Sequence, residues 1–209
     1  MAKRVSFLVL LAALVMTPLA HADGDPASDY LLGQATFIPP DDGIPSAYAA
    51  QLQATVREAK VRGYTIRVAI LGQRYDMGAV VVLFKKPSEY ARFLGQELSF
   101  VYKGRLLVVF PNGLAVSRNG KALPGEQKVV APMAPPGAAG AALASAATEA
   151  VVRLAANAGV IVPKAPLADS GRSGPGSHTN RDRITIAAAA LVAGLLVGGF
   201  LLFRRRRTT

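Results

Sequence analysis

The run Ile184–Phe203 holds 20 residues without a charge, and Arg204–Arg207 follow it at once. About 20 apolar residues in a helix cover the hydrocarbon depth of a bilayer, roughly 30 Å. Four consecutive arginines resist translocation, so the sequence places them in the cytoplasm. A helix buried in a soluble core has no need of such a terminus. A second apolar stretch, from Val5 to about Leu19, follows Lys3-Arg4 and leads into Ala20-His21-Ala22. A charged start, an apolar middle and a small-residue cleavage step are the three parts of an export signal. Both ends predict one topology. Residues 1–22 are a signal removed after Ala22, 23–160 an extracytoplasmic domain, 161–183 a flexible tether, 184–203 a single transmembrane helix, and 204–209 a cytoplasmic basic tail.

Partners follow from the same pattern. The C-terminal helix meets membrane lipid. Gly194 and Gly198, with Ala190 one turn earlier, form a small-residue face through which two such helices can approach, so a homodimer is one expected partnership. The formal net charge of +11 first suggests nucleic acid. However, six of the 24 basic residues flank the apolar ends, leaving 18 against 13 acidic residues between Asp23 and Arg183. Those 18 are scattered, with no basic stripe and no interleaved aromatics, so nucleic acid is not an expected partner. A mild affinity for anionic lipid heads accounts for the excess better.

Between the ends the chain alternates helical and extended patterns. Ala47–Arg62 carries Tyr48, Leu52, Val56 and Ala59 at helical spacing, with Ser46 as the expected N-cap and Gly63 as the stop. Tyr64–Leu71 is rich in β-branched residues, Ile66, Val68 and Ile70 alternating with Thr65, Arg67 and Ala69, which predicts a strand. Asp76–Phe100 reads as two helical pieces. Asp76 caps the first, and Pro87-Ser88 opens the second through Tyr90, Phe93, Leu94 and Leu98. Leu106–Phe110 is a continuous apolar run, as in a strand buried on both faces. Pro111-Asn112-Gly113 turns it into a returning strand, Leu114–Ser117, that ends at Asn119-Gly120. Pro132–Gly140 is a linker, and Ala141–Ala158 a helix with Leu143, Ala147, Val151, Leu154 and Ala158 along one side. Helix, glycine corner and strand in this order predict an α/β fold.

The residue types restrict chemistry. With no cysteine, disulfides, thiolate metal sites and cysteine nucleophiles are excluded, and an exported domain must rest on packing alone. The two histidines, His21 and His178, fall in the signal and the tether. The expected domain therefore has no histidine for a Ser–His triad, a zinc site or imidazole acid/base work. No phosphate-cradling glycine motif occurs, so no nucleotide cofactor is expected. Carboxylates remain: Asp23, Asp25 and Asp29 near the mature N-terminus, Asp41-Asp42 in a loop, and Asp76. Oxygen ligands suit Ca²⁺ or Mg²⁺, and Asp25, Asp29 and Asp76 are the candidate metal residues. The simpler reading is solvated turns and helix caps, with Pro26 at a first helical position after Asp25 and Asp76 as a cap. No paired buried acids are expected, and no residue is singled out as catalytic. Lys85-Lys86 reads as exposed surface.

Tyr64–Leu71, then Tyr90-Ala-Arg-Phe-Leu94, then Gly104–Phe110 with its hairpin to Val116, lie between a signal and an anchor. In this the chain resembles the TPM-domain family over about Asp23 to Ala158. The resemblance implies a small sheet flanked by helices on both faces. It also implies links to acid phosphatase activity, to metal binding, or to assembly and repair of membrane complexes. The Gln73-Arg74-Tyr75-Asp76 loop departs from an acidic metal-holding loop, having one carboxylate. The expectation is a non-enzymatic interaction or assembly module of the bacterial envelope, acting on an envelope protein partner. A divalent-metal-dependent phosphatase of the TPM type is the alternative.

Overall fold

Residues 24–167 are described here by a computed structural model. The chain opens with helix α1, Pro26–Gly33, whose proline takes a first-turn position where no amide is needed. A two-residue strand follows, β1, Thr36–Phe37. Helix α2 spans Ser46–Val61. The expected N-cap is displaced by one: Pro45 holds the cap position, Ser46 is already helical, and no side chain caps the end. The stop is as read. Gly63 adopts φ +89°, open to glycine without strain. Its N–H donates to the Lys60 carbonyl at 3.1 Å, and the Tyr64 N–H donates to that of Ala59 at 2.8 Å. These are the two bonds of a Schellman ending.

Strand β2, Ile66–Ile70, comes straight out of that corner. The first expected helical piece is a kinked 3₁₀ segment, Arg74–Leu83, rather than an α-helix. Gly78 at φ +49° breaks it, and Val80–Val82 add a β-branched run with poor helix propensity. The second piece is helix α3, Pro87–Glu97, followed by a 3₁₀ turn at Leu98–Phe100. The hairpin forms as read, β3 being Arg105–Phe110 and β4 Gly113–Arg118. Like β1, two further elements have no counterpart in the sequence pattern: strand β5, Lys121–Ala122, and helix α4, Pro124–Val130. Helix α5, Gly140–Asn157, completes the order and ends like α2, with Gly159 at φ +77°.

The five strands lie in the order β1-β2-β3-β4-β5. The first three are parallel and the last two antiparallel, so the sheet is mixed. Its central register aligns Val68 with Leu107 and Leu107 with Val116. Helices cover both faces. Leu52, Val56 and Ala59 of α2, Val130 of α4 and Leu143, Ala147, Val151 and Leu154 of α5 meet Ile66, Val68, Ile70, Leu107, Val109 and Val116 on one face. Ala27 and Leu31 of α1, Met77 of the 3₁₀ segment and Tyr90, Ala91 and Leu94 of α3 meet Ala69, Leu71, Leu106, Val108 and Phe110 on the other. Each large aliphatic side chain so buried contributes about 1.5–3 kcal/mol. Since α2 and α3 link successive parallel neighbours on opposite faces, the two crossovers have opposite hands. One therefore departs from the usual right-handed connection.

The folded segment runs past the expected domain boundary at residue 160. Val162 is buried, and the Ala165 carbonyl accepts from Gln51 Nε2 at 2.6 Å while the Ala165 N–H donates to Thr55 Oγ1 at 3.2 Å. The first residues assigned to a tether thus belong to the domain. The signal 1–22, the rest of the tether with His178, the helix 184–203 with Gly194 and Gly198, and the tail 204–209 lie outside the described residues. Among the described residues no helix is long and apolar enough to cross a membrane.

Candidate functional site

Two polar regions stand out, one at each end of the parallel strands. At the carboxyl ends, the loop after β1 brings Asp42 to the exit of β2. The Gly72 N–H donates to Asp42 Oδ2 at 2.9 Å, and a Cβ at Gly72 would collide with that carboxyl. One residue on, the Gln73 N–H donates to Asp76 Oδ2 at 2.7 Å, and the Gln73 side chain reaches back to the Asp76 amide in a capping box. The cap position expected for Asp76 thus belongs to Gln73, and Asp76 contributes to the cap from the third helical position. The absence of paired buried acids is overturned, because Asp42 and Asp76 sit against each other with both residues buried.

Burial raises both carboxyl pKa values. That of Asp76 is pushed up to about 7 by burial and then by the Asp42 charge, against the Gln73 amide, which lowers it. That of Asp42 also rises, opposed by the hydrogen bonds from Gly72 and Asp76. Asp42 Oδ1 is buried without a partner. Two such groups in contact share one proton more readily than they carry two charges.

Asp25 occupies the N-cap position of α1 but makes no side-chain cap. Its carboxylate instead accepts the Tyr90 hydroxyl at 2.7 and 2.8 Å. Burial lifts its pKa to about 6, with the Tyr90 bond pulling the other way. The hydroxyl in turn is held strongly against ionisation by burial and by the Asp25 charge.

Of the three candidate metal residues, Asp25 and Asp76 are buried and Asp29 is exposed on α1. No group of three or more His, Cys, Asp or Glu side chains able to hold a metal ion occurs among the described residues. Ca²⁺ takes roughly six to eight oxygens, and the pair Asp42–Asp76 supplies two carboxylates, so these residues form no ready-made cage. The partner of Asp76 is Asp42, which the sequence pattern places in a loop and nothing more. The available signal is that Asp42 follows β1 and Asp76 follows β2, the side of a parallel sheet where polar groups gather.

At the amino ends of β1 and β2 a cleft of about 550 Å³ opens, lined by Gln34, Thr36, Arg57, Lys60, Arg67 and Tyr102 among others. Arg57 and Lys60 lie one turn apart on α2. Arg67 projects from β2, its guanidinium 4.1 Å from the centre of the Tyr102 ring. The Tyr102 hydroxyl donates to the Arg105 carbonyl at 2.7 Å, which fixes that ring. Arg67 Nη1 is buried and has no partner, and burial lowers the guanidinium pKa. Sequence pattern does not single out this cleft, because its cations come from two elements and look scattered along the chain.

Fold and polar regions together define a three-layer α/β domain on a mixed sheet. The chain matches no protein-family model, no curated protein and no solved structure.

Proposed function

We propose that this chain is a single-pass envelope protein, its α/β domain outside the cytoplasm acting as a non-enzymatic interaction or assembly module, in the manner of TPM-like domains. One observation carries the reading. Each buried carboxylate accepts a hydrogen bond from inside the fold: Asp25 from Tyr90, Asp42 through one oxygen from Gly72, and Asp76 from Gln73. Groups so engaged hold loops in place. The surface meanwhile presents Phe100 at 94% and Val101 at 60% exposure, an apolar step fit for a partner protein. The test is a photo-cross-linking residue at position 100 of the full chain in cells. A reproducible protein adduct is expected, and its absence would overturn the reading.

A second reading, phosphoester hydrolysis, draws on the Asp42–Asp76 pair, because a carboxylic acid near neutrality is suited to general acid work. Its test is turnover of a generic phosphoester by the full chain, with millimolar Mg²⁺ or Ca²⁺ and melting followed in parallel. No turnover and no metal-induced shift in melting would eliminate it.

A further inference from the structure

We propose that the cleft at the amino ends of β1 and β2 binds a phosphate ester. Three cations, Arg57, Lys60 and Arg67, line it and no carboxylate does. None of the three belongs to an ion pair among the described residues, whose pairs are Arg62–Glu58, Lys86–Glu89, Arg105–Glu126 and Arg153–Glu149. Lys60 sits in the last turn of α2, where a cation also offsets the helix dipole. Arg57 and Arg67 have no such explanation. Arg67 is the informative group. Its head is stacked on Tyr102 and partly desolvated, with one nitrogen orphaned, an arrangement that is costly unless an anion completes it.

The backbone adds a donor. The Val68 N–H donates to the Ala35 carbonyl at 2.9 Å, so the Ile66 amide, two residues earlier on the same edge, also points to the β1 side. There β1 has not yet begun, since its first pairing is Thr36 with Val68. Ile66 lines the cleft. Three cations and an N–H suit a group carrying two negative charges and several acceptor oxygens, as a phosphate monoester does, better than a single carboxylate. The volume of about 550 Å³ falls in the range of small-ligand pockets. It leaves room for an organic group against Val56, Ala35 and the Tyr102 ring.

This inference deepens the binding-module reading and rests on it. The experiment uses the full chain in phosphatidylcholine nanodiscs, titrated calorimetrically with glycerol 3-phosphate. Saturable binding is expected, weakened at least tenfold in the double variant Arg57→Gln/Lys60→Gln and in Arg67→Lys. Arg57 and Lys60 are exposed, so the double variant should melt with the parent. Discs containing phosphatidic acid, a lipid whose headgroup is itself a phosphate monoester, separate the two sources of the ester. A higher apparent Kd there, lost in the double variant, assigns the lipid headgroup, and an unchanged Kd assigns a soluble ester. No saturable binding, or binding undiminished in the variants, overturns the cleft assignment. A cross-link at position 100 obtained alongside that negative result would leave the module reading standing.

Discussion

Asp76 shows how a single residue can be half legible. Its acidic side chain ahead of an apolar run announces a cap, yet the cap position goes to Gln73 and Asp76 completes the capping box from the third helical position. Its partner Asp42 lies 34 positions away, and only the pairing of β1 with β2 puts the two acids together. Local pattern carries no trace of that. The pair makes stability depend on pH in a definite sense. The folded chain binds the Asp76 proton with a pKa of about 7, above the ordinary 3.8, and the Asp25 proton with one of about 6. Stability contributed by protonation is therefore full below about pH 4 and lost as pH climbs through 6 to 7. Asp76→Asn keeps an acceptor for the Gln73 amide and gives Asp42 a donor. At pH 7.5 it should raise stability by on the order of 1 kcal/mol and flatten the melting temperature between pH 4 and 7. Thermal denaturation across that range measures both. Tyr90→Phe acts oppositely, stranding the Asp25 carboxylate. It should cost about 1–3 kcal/mol at pH 7.5 and less at pH 5, by urea unfolding at the two pH values.

At the scale of elements, those with a strong period or a continuous apolar run are readable: α2, β2, the β3–β4 hairpin, α3 and α5. Those that escape sequence pattern are short. β5 has two residues and α4 seven, too few for any period to emerge. The 3₁₀ segment carries conflicting signals, valines favouring a strand and an acidic cap favouring a helix. Close approach also leaves no readable mark. Gly95 of α3 lies where an added Cβ would come within 2.7 Å of the Gly120 amide and 3.0 Å of Ser117 Oγ. The Ser117 hydroxyl itself donates to the Ala91 carbonyl, joining α3 to β4. Gly95→Ala, though better for an isolated helix, should therefore destabilise the domain by about 1–3 kcal/mol through overpacking. Equilibrium unfolding of the variant and the parent tests this.

On the scale of the whole molecule, composition puts the domain between two apolar ends but sets its last residue too early. Pro163 and the Gly/Ser-rich stretch after Ser170 look alike in composition. Only the contacts of Val162 and Ala165 with the rest of the domain mark the segment around them as folded. A chain ended at residue 160 should melt several degrees below one ended at 167, because it loses two hydrogen bonds and a buried valine, together about 3–5 kcal/mol. Scanning calorimetry of the two truncations decides it.

The borders of the sheet are closed in two different ways. β5 pairs only with Ser117 and Arg118 of β4. Further along β4, the Gln127 side chain of α4 accepts from the Val116 N–H and donates to the Leu114 carbonyl, each at 3.1 Å, doing with one amide what a sixth strand would do. At the far border β1 is two residues long, and the open step beside Ile66 stands among positive charges. An extended stranger arriving at either side finds no ladder to continue, and an identical neighbour meets like charge. Copies crowded at high density should for that reason stay discrete and not zip into fibrils.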